Sequence, residues 1–191
     1  MEGTLFVVTG PSGAGKDSVI DAVRDGGLEF GSVTTTSTRP MRPGEAEGQP
    51  YYFLTREEFE EKIEHGEMIE WAEVYGNLYG STKQEVERVR KKHDVVIIKV
   101  DPQGARTFKA MIPDAVTIFI QPPSLEFLEK RLINRASDAP DVIAKRMETA
   151  KSELENLGSW NHLIMNEEGK LDAAVKELTE LVKKKKESRY P

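Results

Sequence analysis

Leu5-Phe6-Val7-Val8-Thr9-Gly10-Pro11-Ser12-Gly13-Ala14-Gly15-Lys16-Asp17-Ser18-Val19-Ile20 decides the reading of this chain. An apolar run meets a glycine-rich turn, and an amphipathic segment, Val19 to Val23, follows. That order is strand, turn, helix. The turn has the spacing G-x-x-x-x-G-K of a phosphate-cradling loop. Glycines let the backbone curl so that successive N–H groups point inward. The helix start adds a positive dipole end, and Lys16 adds a full charge for the terminal phosphates. The expected phosphate-binding set is therefore Gly10, Pro11, Ser12, Gly13, Ala14, Gly15, Lys16, Asp17 and Ser18. One position departs from the motif. The residue after the lysine is ordinarily Ser or Thr, whose hydroxyl ligates Mg²⁺, and here it is Asp17. A carboxylate can serve a hard cation, so Asp17 is the candidate metal ligand. Without a cation between them, it repels phosphates.

The chain has 191 residues, room for one domain with a sizeable core and small inserts. Lys and Arg number 27 against 33 Asp and Glu, a net charge of -6, so no global field steers it to nucleic acid. There is no cysteine, hence no disulfide and no thiolate metal site. Apolar runs reach about five residues, far below a membrane span. The chain opens directly on the first strand, with no signal-peptide-like apolar region. The expectation is a soluble cytoplasmic protein with no nucleic-acid or membrane partner. The closing Lys183 to Lys186 run reads as a solvated helix end that suits the dipole.

Outward from the loop, Gly26-Gly27 stops the first helix, and Phe30 to Thr36, rich in Val and Thr, predicts a strand. Arg39-Pro40-Met41-Arg42-Pro43 cannot be helical. Two guanidiniums on one short rigid loop suit an oxyanion. Gln49 to Leu54 predicts an aromatic strand, and Thr55 with Glu58 forms a capping box that starts a helix running to Gly66. Met68 to Tyr75 predicts a strand ending in a turn at Gly76-Asn77. Residues 79 to 82 then lead into a charged helix, Lys83 to Lys92. Asp94 to Val100, Val116 to Ile120 and His162 to Met165 read as strands of a parallel sheet buried on both faces, with helices between them. Ser124 to Leu157 reads as two helices joined by a turn-prone tip around Ala136 to Pro140, with Arg131 and Arg135 on one face and Arg146 on the second helix. The expected fold is α/β: a P-loop three-layer core with a parallel sheet, a small mixed-β insert and a helical lid. The expected boundaries are 1–34, 82–123 and 148–191 for the core, 35–81 for the insert and 124–147 for the lid. Ligands bind at the carboxyl ends of parallel strands, where the loop, Asp101 and Asn166 fall.

Several stretches together resemble the guanylate kinase family, the P-loop nucleoside monophosphate kinases that act on GMP. They are Gly10 to Lys16; Thr38 to Glu45 with Gly48 and Tyr51; Met68-Ile69-Glu70-Trp71-Ala72; Gly76 to Ser81; Asp101-Pro102-Gln103-Gly104; and Pro122-Pro123-Ser124 with Arg131-Leu132 and Arg135. The resemblance covers almost the whole chain. It implies transfer of the ATP γ-phosphoryl group to GMP, and to dGMP, with Mg²⁺ accompanying ATP, in a monomer or small homo-oligomer. Position by position, it implies that Arg39, Arg42, Tyr51 and Tyr79 hold the GMP phosphate. Thr35, Glu70, Ser81 and Asp101 surround the guanine. Lys16 and the loop amides hold the ATP phosphates, Arg131, Arg135 and Arg146 are lid arginines, and Asn166 lies near the adenine. Lys16, Arg39, Arg131 and Arg146 would neutralise charge in the transfer itself.

The chemistry agrees. Guanine presents N1–H and N2–H₂ as neighbouring donors, which one carboxylate accepts together, whereas adenine offers an unprotonated N1 there. A site built on polar pairing rejects the wrong base strongly. Three positions depart from the family pattern: Asp17 for Ser or Thr, Lys99 for Asp, and Ala136 for Gly. The loop form Gly-Lys-Asp-Ser is also similar to ribose 1,5-bisphosphate phosphokinases, which are not expected to carry the guanine-surrounding set. A non-catalytic guanylate-kinase-like module that binds phosphopeptides is a third reading, although such modules typically lose loop residues that are all present here.

Overall fold

The computed structural model describes residues 2–74, 76–134, 140–155 and 157–188, apart from the side chains of residues 134, 140 and 141. Its organising strand is β1 (Thr4–Thr9), in which Leu5, Phe6, Val7 and Val8 are all fully buried. A strand apolar on both faces has to lie inside a sheet covered on both sides. Helix α1 (Lys16–Asp25) follows the glycine loop, and Gly26 closes it. Strand β2 (Gly31–Ser32) is short, and β3 (Thr36–Ser37) and β4 (Tyr52–Phe53) precede α2 (Arg56–Glu64). Strands β5 (Met68–Val74) and β6 (Asn77–Thr82) form a hairpin, then come α3 (Lys83–Lys92) and β7 (Val95–Lys99). The chain continues through α4 (Pro102–Met111), β8 (Val116–Gln121), α5 (Leu125–Asn134), α6 (Pro140–Glu155), a 3-10 turn (Leu157–Ser159), β9 (His162–Met165) and α7 (Leu171–Glu187).

The strands form two sheets. The larger has the order β2-β7-β1-β8-β9 and is parallel throughout. Alternate residues of β1 feed two cores. Phe6 and Val8 pack with α1 and α7, whereas Leu5 and Val7 pack with α3, α4 and Trp160. Full burial of each such side chain stabilises the fold by about 1.5–3 kcal/mol, and a one-residue slip would exchange the two faces. This is the α/β fold expected from the sequence, with helices on both sides of a parallel sheet. The smaller sheet has the order β4-β3-β6-β5 and mixes parallel and antiparallel pairs. It has its own core of Phe59, Met68 and Leu78. The Thr55 cap is formed as expected: its side chain accepts from the Glu58 N–H, and the Glu58 carboxylate accepts from the Thr55 N–H at 2.8 Å. Among the described residues, no helix is long and apolar enough to cross a membrane.

Four local expectations are corrected. The single strand expected over residues 30–36 is two short strands in different sheets: Gly31–Ser32 pairs with β7, and Thr36–Ser37 pairs with β4 and β6. A two-residue strand exists only through its partners, so composition does not locate it. The strand expected over Gln49 to Leu54 is confined to Tyr52–Phe53, after a cis Gln49–Pro50 bond. Residues 77–82, read as a turn and lead-in, form β6 at the centre of the small sheet. Finally, β9 is an edge strand rather than one buried on both faces: only Ile164 is buried, while Leu163 and Met165 are exposed. Of the tip expected at residues 136–140, residues 136–139 lie outside the described residues, and residue 140 already belongs to α6.

Candidate active site

The loop between β1 and α1 wraps the Lys16 ammonium. Its Nζ donates to the Gly10 carbonyl at 2.6 Å and to the Pro11 carbonyl at 3.0 Å. Burial pulls the Lys16 pKa down to about 8, opposed by the nearby carboxylates of Asp17, Glu153 and Asp101. Gly15 holds the N-cap position with φ +88°, and a Cβ there would stand 2.3 Å from Asn166 Nδ2 and 2.9 Å from Arg131 Nη1. Only glycine permits both the left-handed turn and that close approach. Asn166 is buried and donates to the Ala14 carbonyl at 2.8 Å. Arg131 donates to the Gly13 carbonyl at 3.3 Å and stacks on Phe127, one turn earlier in α5. Thus Lys16, Arg131 and Asn166, singled out separately along the sequence, meet at one loop. Arg146 is half-buried on α6. Arg135 lies outside the described residues.

At the loop's exit, Asp17 and Lys99 form an ion pair. Ser18, the next residue after Asp17, is exposed, as is Ser12 earlier in the loop. Asp17 is not a helix cap, because Gly15 is the cap residue and makes no side-chain capping bond.

The second half of the site lies on the small sheet. Glu70 of β5 faces Ser81 of β6 across the hairpin, and the Ser81 hydroxyl donates to Glu70 Oε1 at 2.7 Å. Burial raises the Glu70 pKa; the Ser81 hydrogen bond opposes this and the Asp101 charge adds to it. Asp101 caps α4, its Oδ1 accepting from the Gly104 N–H at 2.7 Å. A Cβ on Gly104 would lie 3.0 Å from Glu70 Oε2 and 3.4 Å from Asp101 Oδ1, so the two carboxylates flank that glycine. They open onto a cleft of about 550 Å³ lined by Ile69, Trp71, Gln103 and Thr107 among others. Thr35 is half-buried in the segment leading to β3, where its carbonyl accepts from the Tyr52 N–H.

Arg39 is buried under aromatic cover. Its guanidinium lies 5.1 Å from the Tyr51 ring and 5.3 Å from the Phe53 ring, and the Tyr51 and Tyr79 rings meet edge to face at 5.7 Å. Glu45 holds Arg39 through two parallel bonds of 2.6 and 2.7 Å and also accepts from the Arg42 N–H at 2.8 Å. These contacts lower the Glu45 pKa to about 2, the Arg39 bond being the largest cause. Sequence reading assigned no role to Glu45. Its signal was present: Pro40, Pro43 and Gly44 set a turn in which the Glu45 N–H reaches the Arg42 carbonyl at 3.1 Å. That turn folds the carboxylate back onto both arginines. Arg42 itself is exposed. Glu153, on α6, is a second residue missed, because nothing in the sequence places it near Lys16 and Asp101. Burial raises its pKa, with the Lys16 charge opposing.

A divalent cation fits this donor chemistry in one way. Among the described residues, no group of three or more His, Cys, Asp or Glu could hold a metal by itself. Asp17 offers one exposed carboxylate beside the loop. Mg²⁺ is typically bound in this manner, by one or two carboxylates together with substrate phosphates and water.

Comparison with known proteins bears on the whole chain. The family model for guanylate kinase matches residues 2–185. A guanylate kinase of Nitrosospira multiformis is 40% identical over 176 residues, covering 92% of this chain and 83% of its own. One from Vibrio cholerae is 43% identical over 169 residues, covering 87% and 82%. The crystal structure of guanylate kinase from Anaplasma phagocytophilum superposes with a TM-score of 0.72 at 29% identity, covering 97% of this chain and 87% of that one.

Proposed function

The chain belongs to the guanylate kinase family, whose reaction carries the ATP γ-phosphoryl group to GMP, and on that premise we propose how its residues divide the work. The glycine loop, Gly10 to Ser18, cradles the ATP phosphates, with Lys16 leaving its carbonyl partners to meet them. Asn166 lies on the adenine side, and Arg131, Arg135 and Arg146 neutralise charge on the phosphates being exchanged. Arg39, Arg42, Tyr51 and Tyr79 hold the GMP phosphate. Glu45 keeps the Arg39 fork in place, which spares the substrate the entropy of ordering it. The fork keeps further N–H donors.

The observation that carries the acceptor assignment is the Glu70–Ser81 bond beside Asp101. Ser81 occupies one lone pair of Glu70, and a carboxylate has about four such sites. The remaining sites accept guanine N1–H and N2–H₂ together; Thr35 and Asp101 complete the ring of polar partners. The same set accepts dGMP, since none of these contacts involves the ribose. The nucleophile is already a phosphate oxygen, so no general base is required. Catalysis is positioning and charge neutralisation. Asp17, together with the ATP phosphates, would hold Mg²⁺, which would supply neutralising charge for the transfer. The small sheet, within residues 35–81, and the α5–α6 arm, within residues 124–147, act as the substrate-binding and lid units over a core of residues 1–34, 82–123 and 148–191. The setting is cytoplasmic, consistent with a cysteine-free chain, and the active unit is a monomer or small homo-oligomer.

A coupled assay with GMP, AMP, UMP and ribose 1,5-bisphosphate as acceptors tests the assignment. GMP should be phosphorylated with kcat/KM at least a hundredfold above the others. Preference for ribose 1,5-bisphosphate would overturn the base-reading role of Glu70, and no turnover with any acceptor would favour a binding module instead.

A further inference from the structure

Asp17 and Lys99 stand 82 positions apart yet form an ion pair. The main chain arranges this. Lys99 is the register partner of Val8, and the Val100 N–H donates to the Val8 carbonyl at 3.1 Å, so β7 ends beside the strand that feeds the loop. Asp17 is the second residue of α1. The side chains are 67% and 45% exposed respectively, and so exposed a pair adds little to folding stability. Its place suggests a different use. Lys16 senses both charges, Asp17 and Lys99 acting on it with opposite sign. A carboxylate at this position of a phosphate loop is a liability, because the incoming polyanion meets it before any cation separates them. Asp17 has no capping role to compensate.

We propose that Lys99 is the charge-compensating partner of Asp17: it covers the carboxylate while nucleotide phosphates enter, and turns to the phosphate oxygens once Asp17 serves the Mg²⁺ side. The proposal rests on the reading of the loop as the ATP site. It makes Asp17 unfavourable toward metal-free nucleotide and favourable toward the Mg²⁺ complex, while Lys99 matters most when Mg²⁺ is absent.

Calorimetric binding of ATP, without GMP, in EDTA and in excess Mg²⁺ tests this for wild type, Lys99→Met, Lys99→Arg, Asp17→Ser and the double variant Asp17→Ser/Lys99→Met. Lys99→Met should weaken metal-free ATP about tenfold and the Mg²⁺ complex less than about threefold. Lys99→Arg should keep most of the wild-type affinity. Asp17→Ser should tighten metal-free ATP and weaken the Mg²⁺ complex, a reversal of sign that a structural role would not produce. The double variant in EDTA should return near wild type. If Lys99→Met changes both conditions by the same factor or neither, or if Asp17→Ser acts with the same sign in both, the proposal is overturned. If wild type binds ATP in neither condition, the nucleotide reading of the loop falls with it.

Discussion

Glu70 is half-buried, with one oxygen committed to the Ser81 hydroxyl and Asp101 close behind. As the proposed reader of guanine, it must be ionised and must present acceptors only. Glu70→Gln puts a donor where two acceptors are needed. The variant should lose about 1–3 kcal/mol of GMP recognition, roughly 5- to 150-fold in kcat/KM, with ATP affinity unchanged. Steady-state kinetics in both substrates reads this, and full GMP efficiency would remove Glu70 from the role. The pH dependence follows from the same burial. GMP binding favours the carboxylate, so affinity is full above the Glu70 pKa and falls as pH drops through it. Because burial, with Asp101, raises that pKa, the acid limb of kcat/KM for GMP should lie above the ordinary carboxylate range. A profile for Glu70→Gln should lack this limb while keeping any that belongs to the substrate's own phosphate. Identical profiles would assign the limb elsewhere.

At the level of single elements, α2 depends on its entry. The Thr55–Glu58 capping box satisfies two N–H groups that the helix cannot satisfy internally, and Phe59 in the next turn anchors the small sheet's core. Thr55→Ala should lower stability by about 1 kcal/mol, seen as a small drop in Tm with the far-UV spectrum unchanged. Since the cap is exposed and away from the cleft, kcat should stay at the wild-type value; a loss of activity without a shift in Tm would contradict this reading. Elements defined by their own residues were legible in this way. Helix α3, Lys83–Lys92, begins and ends where the charged segment does, and β7 follows the apolar run from Val95. Strand β6 was not legible. Asn77-Leu78-Tyr79-Gly80-Ser81-Thr82 has turn-like composition, and it is a strand because β3 and β5 pair with it on both sides. Gly80 is required at that crossing, where a Cβ would meet the Glu70 carbonyl at 2.5 Å.

For the whole molecule, the proposed acceptor site is on one sheet and the proposed donor site on another, with the phosphoryl group passing between them. We expect the small sheet and the α5–α6 arm to move toward the main sheet when ATP and GMP are both bound, excluding water that would otherwise accept the phosphoryl group. Crystal structures with no nucleotide, one nucleotide and both would record it. An unchanged cleft with both bound would refute it. The amino-acid order by itself determined what rests on near neighbours. The loop spacing from Gly10 to Lys16, the caps of α2, α4 and α5, and the doubly apolar β1 and β7 depend on groups within a few residues of one another. The family, too, is legible there, because its motifs are short and ordered. Tertiary structure alone decided that Asn166 meets the Ala14 carbonyl and that Glu153 meets Lys16. The first follows from the parallel strand order β2-β7-β1-β8-β9, which brings the carboxyl ends of β1 and β9 to one edge, and the second from the position of α6 over that edge. No local pattern encodes that order, since the energy that selects it comes from burying both faces of β1 at once.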